Sequence, residues 1–291
     1  MKNFLLITTG GSGGHVIPAT VLYEHLAKEY DVIISTDKRG LNFLDQNLYD
    51  LEIIDTPKLN NIFLLPINLI KILYLTFKSF FLLRSKRVKK IFSTGGYMSL
   101  PIILAAKFLR LTIYLVEPNQ VLGRANKFFL KSSKNIFCYN DKLKNFPNNF
   151  KNKMILKNPL VKKKIYQLSE LHKEKNKFTL LVVGGSQGAN FFDGNLKNII
   201  INIGKKNPIS VLQQTNKKNI SYLHEFYKSN DIENKIFDFD KDFSSLLKKT
   251  DLCITRSGAS TLAELSVLNI PFIAVPLPKS KDNHQLENAN F

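Results

Sequence analysis

Short apolar runs alternate with longer amphipathic stretches along this chain, separated by glycine or polar loops. Repeated strand-helix units around a parallel sheet produce that alternation. In the first half the pattern predicts strands at Asn3–Thr8, Asp31–Ser35, Ile91–Ser93, Thr112–Val116 and Asn135–Tyr139, with helices in the intervals. From Asp141 to Lys177 it breaks into a Lys/Asn-rich stretch containing Asn158-Pro159, which suits a domain crossing. A second cycle predicts strands at Phe178–Val183, Ile209–Gln213, Leu252–Thr255 and Phe272–Val275. Each half opens with a strand, a glycine loop and a helix. The expected fold class is therefore α/β, with two doubly wound domains, residues 1–158 and 159–291, facing a cleft between their strand ends. A length of 291 residues suits two domains.

The first glycine loop, Gly10-Gly11-Ser12-Gly13-Gly14-His15, leaves a strand and enters a helix, with Pro18 expected in its early turn. Glycines let backbone amides approach a ligand. With the positive end of the helix dipole they make an anion site suited to phosphate or diphosphate. A dinucleotide fingerprint needs Gly-x-Gly-x-x-Gly, and here Val16 stands where the last glycine belongs, which weakens a nicotinamide oxidoreductase reading. The second loop, Gly184-Gly185-Ser186-Gln187-Gly188, adds a hydroxyl to the same logic. Two such loops in equivalent places favour a phosphate-bearing ligand.

The formal charge of +19 favours anionic partners without choosing among them, and biased Lys/Asn/Ile usage explains part of it. No interleaved basic and aromatic motif supports a nucleic-acid partner, and none is expected. Cys138 and Cys253 sit beside apolar runs as expected of buried thiols in a reducing compartment, and no export signal opens the chain. None of the five histidines has zinc-ligand spacing, so no metal is expected; His25, His172 and His224 read as solvated.

Four further segments raise the specificity. They are Ser93-Thr94-Gly95-Gly96-Tyr97-Met98, Glu117-Pro118-Asn119-Gln120 running on to Asn126, Arg256-Ser257-Gly258-Ala259-Ser260-Thr261-Leu262-Ala263-Glu264, and Asp282-Asn283-His284-Gln285 running on to Ala289. With the two glycine loops they resemble, in order, the motifs of the MurG family of N-acetylglucosaminyltransferases. The resemblance implies a GT-B fold and inverting transfer of N-acetylglucosamine from UDP-GlcNAc to lipid I, an undecaprenyl-diphosphate-linked muramyl peptide. It implies no cofactor. It places donor-binding roles on Ser12, Gly13, Gly14, Asn119, Ser186, Ala259, Ser260, Thr261, Leu262, Ala263, Glu264 and Gln285. Acceptor-diphosphate roles fall to Gly13, Gly14, His15, Gly95, Gly96 and Tyr97, and catalytic roles to His15 and Glu264. A second GT-B reading, a glycolipid synthase or a UDP-GlcNAc epimerase, shares the donor site, and a truncated, inactive homologue is the other alternative.

The residue chemistry agrees with those assignments. Glu264 follows the Gly258-Ala259 helix entry by about one turn, where a carboxylate accepts two hydrogen bonds from a ribose diol; its bland role is a first-turn acid. Ser260 and Thr261 suit a phosphate oxygen or a helix cap. His15 at a helix N-terminus is kept neutral and suits either a general base or a hydrogen bond to the acceptor diphosphate. Ser186, Ser260, Thr261 and loop amides would meet the leaving-group charge.

Residues 62–83 are the most apolar stretch, interrupted by Pro66, Asn68, Lys71 and Lys78, which argues against a membrane span. Arg84-Ser85-Lys86-Arg87-Val88-Lys89-Lys90 follows at once. The expectation is a peripheral enzyme on the cytoplasmic face of the inner membrane, meeting anionic lipid through Phe80, Phe81, Lys86 and Arg87. The chain departs from the family at Val116 and Pro118, where His and Gln are usual. It departs again at Leu160-Val161-Lys162, which lacks an arginine that Lys162 or Lys163 would replace, and at Gln213, where a histidine is expected. It also ends at Phe291, so its C-terminal domain reads as shortened relative to the family.

Overall fold

The computed structural model describes residues 3–57, 63–169, 177–238, 240, 242–278 and 280–291. Ile62 and His172, named above, lie outside the described residues. The chain divides into two compact units, residues 1–162 and 163–291.

In the N-terminal unit the strands are β1 (Phe4–Thr8), β2 (Asp31–Thr36), β3 (Asp50–Ile53), β4 (Lys90–Ser93), β5 (Thr112–Glu117), β6 (Asn135–Cys138) and β7 (Met154–Leu156). They form one parallel sheet in the order β3-β2-β1-β4-β5-β6-β7. Its main helices are α1 (Gly13–Leu26), α2 (Leu65–Ser85), α3 (Leu100–Phe108) and α4 (Arg124–Phe129). Strand β1 is apolar from Phe4 to Ile7 because both its faces are covered. Leu5 and Ile7 pack with Val16, Ala19 and Leu22 of α1, while Leu6 packs with Leu75, Leu83, Ile102 and Ile103 of α2 and α3. The helices therefore lie on opposite faces, and the strand order reverses between β1 and β4.

The C-terminal unit comprises α5 (Lys163–Ser169), β8 (Phe178–Val183), α6 (Gly185–Asn195), α7 (Lys197–Gly204), β9 (Ile209–Gln214), α8 (Ile220–Lys228), β10 (Glu233–Phe237), α9 (Phe243–Lys249), β11 (Leu252–Thr255), α10 (Ala259–Val267), β12 (Phe272–Ala274) and α11 (His284–Asn290). Its parallel sheet runs β10-β9-β8-β11-β12.

The pattern missed β3, β7 and β10, and all three are edge strands. An edge is covered on fewer sides, so Asp50-Leu-Glu-Ile53 and Glu233-Asn-Lys-Ile-Phe237 carry charges where a central strand carries Val or Ile. Pro18 is the sixth residue of α1 and lies inside it, not in its early turn. Its missing N–H leaves the Gly14 carbonyl without its usual helical donor, tolerable next to an exposed helix start. His25 is half-buried, not solvated, with Nε2 3.0 Å from the Val161 carbonyl; His224 is exposed, with Nδ1 2.9 Å from Asn234 Oδ1. Lys153 Nζ donates to the carbonyls of Leu130, Lys131 and Ser133 at 2.6–2.9 Å, closing the C-terminal end of the α4 turn. Burial lowers the pKa of that ammonium.

Helix α2 is apolar on both sides. Ile72, Leu75, Thr76, Ser79 and Leu83 are buried, and the two hydroxyls bond back to the carbonyls of Ile72 and Leu75. Phe80, expected outside, packs against this core, because it lies one position beyond Ser79 and four after Thr76. The outward stripe is Ile67, Ile70, Leu73, Tyr74, Phe77 and Phe81, at helical spacing. By length and composition α2 is apolar enough to cross a membrane, yet its inner side is built into the sheet's helical layer. It ends just before β4 begins, so Lys86 and Arg87 lie at the strand-start edge, and Lys86 Nζ is 4.0 Å from Asp50 of β3. Its 21 residues span about 31 Å, so its first turns reach the opposite edge, where the glycine loops emerge.

Candidate active site

At the reversal between β1 and β4, the two strands release their loops to opposite faces and leave a crevice at their C-terminal ends. His15, third residue of α1, enters it. Its Nδ1 is 2.9 Å from the Thr94 carbonyl. A carbonyl only accepts, so Nδ1 carries the proton and Nε2 the lone pair of the neutral ring. Thr94 is fixed in turn: its N–H donates to Thr8 O at 3.2 Å and its Oγ1 to Thr9 Oγ1 at 2.9 Å.

Gly95 and Gly96 hold positive φ, +89° and +85°. A Cβ on Gly95 would stand 3.5 Å from His15 Cε1, and one on Gly96 would stand 3.4 Å from Cδ2 and collide with Met98 Sδ. Glycine is required here by the left-handed backbone at both positions and, at Gly96, by Met98, and a Cβ at either would only touch the imidazole. Asn126 also meets Gly95. Its Nδ2 donates to Val116 O and Glu117 Oε2, at 3.1 and 3.0 Å. Its Oδ1 is buried with no hydrogen-bond partner among the described residues, as is Thr8 Oγ1. Each such atom costs about 1–3 kcal/mol unless a donor reaches it.

Two buried carboxylates organise the crevice, and sequence reasoning missed both roles. Glu117, at the end of β5, accepts from Asn119 N (3.3 Å) and Nδ2 (3.0 Å), Gly123 N (2.8 Å) and Asn126 Nδ2 (3.0 Å). Asn119, expected to meet the donor sugar, is thus held by a carboxylate in the same loop. Asp37, fully buried after β2, accepts from Gly11 N (2.7 Å) and Gly40 N (3.0 Å). The Gly11 amide is therefore engaged by protein, contrary to the expectation of an open amide cradle; Gly13 and Gly14 remain in the first turn of α1, with Ser12 exposed as its N-cap. Asp37 Oδ2 also takes Arg39 Nε (2.8 Å) and Nη2 (2.5 Å), and the same Nη2 donates to the Tyr97 hydroxyl. Burial keeps the Tyr97 phenol above its ordinary pKa, against the opposing pull of Arg39. The signal in the sequence was an Asp-x-Arg-Gly run directly after a strand.

In the C-terminal unit, α10 starts after Gly258, and neither Ser260 nor Thr261 caps it with a side chain. Glu264 is the sixth residue of α10, past the first turn, so the role of first-turn acid falls away. Ala259, Ser260, Thr261 and Leu262 are half-buried along the entry, but Ala263 is turned into the core and has no side-chain surface for a ligand. Gln285 Oε1 accepts from Leu277 N at 2.9 Å, and Asn288 Nδ2 donates to Ser257 O at 2.9 Å, fastening α11 to the loop before α10. Ser186 lies at the start of α6.

Arg256, unassigned from sequence, ties three segments. It donates to Val275 O (3.2 Å) and Pro276 O (3.0 Å) beyond β12, and its guanidinium stacks over Phe191 and Phe192 of α6 at 4.5 and 4.9 Å. Burial lowers its pKa. Asp193, near the end of α6, accepts from Gln213 Nε2 (3.0 Å), Thr215 Oγ1 (2.6 Å) and Asn219 Nδ2 (2.9 Å). Gln213, standing where a histidine was expected, is fully buried in this network and also receives the Tyr227 hydroxyl at 2.7 Å.

Residues 5–138 match the glycosyltransferase family 28 N-terminal domain and residues 179–291 its C-terminal domain. The chain is 45% identical over 292 residues to the UDP-N-acetylglucosamine–N-acetylmuramyl-(pentapeptide) pyrophosphoryl-undecaprenol N-acetylglucosamine transferase of Pelagibacter ubique, covering all of this chain and 82% of that relative. The transferase of the same name from Rickettsia felis is 34% identical, with 100% and 83% covered. Among solved structures, Acinetobacter baumannii MurG superposes with a TM-score of 0.73 at 23% identity, over 100% of this chain and 83% of that one. UDP-GlcNAc 2-epimerase from Neisseria meningitidis, bound to UDP-GlcNAc, gives 0.62 at 15%, over 93% and 82%. These last two establish the shared GT-B fold, and the full-length identities establish the family: the chain belongs to the MurG family of N-acetylglucosaminyltransferases, within glycosyltransferase family 28.

Proposed function

We propose that this chain transfers N-acetylglucosamine from UDP-GlcNAc to the muramyl sugar of undecaprenyl-diphosphate-linked lipid I, forming lipid II for peptidoglycan. The observation that carries the reading is a match along the whole chain to transferases named for that acceptor, with both family halves present in order. The N-terminal unit takes the acceptor and the C-terminal unit takes the nucleotide.

The acceptor hydroxyl attacks the anomeric carbon as the bond to the UDP oxygen breaks on the opposite face. His15 Nε2 takes the hydroxyl proton. Its lone pair is oriented by the Nδ1–H bond to Thr94 O, and the positive end of α1 disfavours premature protonation. The departing diphosphate charge is met by the first amides of α10 with Ser260 and Thr261, a preorganised set that does not have to reorient during reaction. Glu264 accepts the ribose hydroxyls, and Gln285 and Asn119 face the sugar. Lys162 or Lys163 supplies the point charge in place of the family's arginine.

The enzyme sits peripherally on the cytoplasmic face of the membrane. Support comes from α2, whose outward apolar stripe begins at the edge where the glycine loops emerge, so lipid would lie beside the acceptor crevice. Phe81 belongs to this surface; Phe80 does not, and Lys86 and Arg87 add charge at its far end. The partner is an anionic lipid surface, not nucleic acid.

The test is transfer of labelled GlcNAc to a lipid I analogue by the purified chain, with Glu264→Ala and His15→Gln alongside. Product from the parent is expected, with Glu264→Ala losing UDP affinity and His15→Gln losing turnover while still binding UDP. Binding of UDP-GlcNAc with no transfer to lipid I would reject the acceptor assignment.

A further inference from the structure

The crevice holds an electrostatic contradiction. A fully buried Asp37 carboxylate lies under the first glycine loop, bonded to the Gly11 amide at 2.7 Å, where an anionic ligand is to sit. A phosphate would be repelled by that charge at short range. Arg39 offsets it. Its Nε and Nη2 grip Asp37 Oδ2, its Nη2 reaches Tyr97 on the loop after β4, and its guanidinium carbon lies 5.2 Å over the Tyr97 ring. A Cβ on Gly11 would stand 3.8 Å from Nη2, which puts the cation at the mouth of the loop. Nη1 has no bond to any described residue, and the side chain is 38% exposed.

We infer that Arg39 is a diphosphate-binding residue of the acceptor site, held by Asp37 and Tyr97 so that its Nη1 edge meets the phosphates of a polyprenyl diphosphate. This rests on the acceptor reading given above. The geometry explains why the cation is an arginine. With Nε and Nη2 engaged by a buried carboxylate and a phenol, the planar guanidinium still offers the two N–H groups of Nη1 to phosphate oxygens, whereas an ammonium in its place offers a single point charge. It also explains how the loop binds an anion although Asp37 has taken the Gly11 amide.

The experiment titrates a soluble short-chain prenyl diphosphate, and separately UDP, into the full chain and into Arg39→Gln, Arg39→Lys and Tyr97→Phe, with thermal melting to verify folding. Arg39→Gln is expected to weaken prenyl diphosphate binding roughly ten- to a hundredfold, the worth of charge-assisted bonds. Arg39→Lys should recover part of that, Tyr97→Phe should cost under about threefold, and UDP binding should not move. In transfer assays the KM for the lipid acceptor should rise in Arg39→Gln with the KM for UDP-GlcNAc unchanged. Prenyl diphosphate affinity within twofold of the parent in Arg39→Gln would overturn the inference. So would a Tyr97→Phe loss equal to that of Arg39→Gln, which would make Arg39 a strut between loops. If Arg39→Gln unfolds, Arg39→Lys carries the test, and unchanged affinity there with the acceptor KM also unchanged counts against the inference. Arg39-dependent diphosphate binding in a parent that transfers no sugar would sink the transferase reading and leave the inference standing.

Discussion

The two units open with the same strand, glycine loop and helix, yet the charged groups that brace their proposed anion sites differ. In the N-terminal unit the holders are buried carboxylates: Asp37 and Glu117 accept from the N–H groups of Gly11, Gly40, Asn119 and Gly123. In the C-terminal unit the holder nearest α10 is a cation, Arg256, which donates to the carbonyls of Val275 and Pro276. A carboxylate holder consumes amides that would otherwise bind phosphate, so the N-terminal crevice must draw positive charge from a side chain. A guanidinium holder consumes carbonyls and spares the helix-start amides of α10 for a nucleotide. The two proposed anion sites thus reach binding by different routes.

The sharpest way to break the comparison is Glu117→Ala. It removes the shared acceptor of four donors, three of them half-buried, and we expect a loss on the order of 2–4 kcal/mol of unfolding free energy, with acceptor turnover abolished. Denaturant titration checks the stability, and UDP titration should show a C-terminal unit that still binds. Arg256→Met is the mirror image. Loss of two carbonyl bonds and the stack on Phe191 and Phe192 should cost about 2–3 kcal/mol and weaken UDP at least tenfold, with prenyl diphosphate binding intact. If either variant disables both ligands equally, the holders do not serve separate sites.

A smaller effect separates the two faces of α2, a feature of the N-terminal unit. Phe77→Ser with Phe81→Ser should leave unfolding free energy within about 0.5 kcal/mol, because both rings are exposed, while binding to anionic vesicles falls several-fold in a sedimentation assay. Phe80→Ser should do the reverse and lose about 1 kcal/mol, since its ring is half-buried against the core.

The smallest contrast concerns one thiol in each unit. Burial pushes Cys138 and Cys253 up from an ordinary value of 9.0 to about 12, and Glu117 adds its charge to the effect at Cys138 alone. A raised folded value means the stabilisation of the protonated thiol is complete below pH 9 and is lost as pH climbs toward 12. Native thiols should resist alkylation up to about pH 10. Glu117→Gln should make Cys138 ionise at lower pH and leave Cys253 unchanged, measured by thiolate absorbance.

Much of the fold was legible because buried parallel strands announce themselves. Phe178–Val183 and Leu252–Thr255 begin and end where the apolar runs do. The edge strands β3, β7 and β10 were not legible, since half-covered strands mix charge with apolar residues. In the site, the glycine pairs and His15 stood out as motifs. Asp37, Arg39 and Asp193 did not, because each acts through a partner far along the chain, such as Gly11, Tyr97 or Thr215, and that juxtaposition is a product of topology. Phe80 was misassigned for a local reason: next to Phe81 in sequence, it is turned about 100° around the helix.

Helix α2 turns a stripe of large apolar side chains outward, broken by Lys71 and Lys78, while its inner side carries Thr76 and Ser79 among aliphatic residues. Away from lipid, the cheapest cover for that stripe is the same stripe on another copy. The +19 formal charge of the chain opposes such pairing by mutual repulsion. Added salt removes that protection, since at 1 M the screening length falls to roughly 3 Å. The colloidal behaviour of the protein should therefore run against habit: high-salt buffers ought to drive it into aggregates, and a mild detergent at low ionic strength ought to keep it monodisperse.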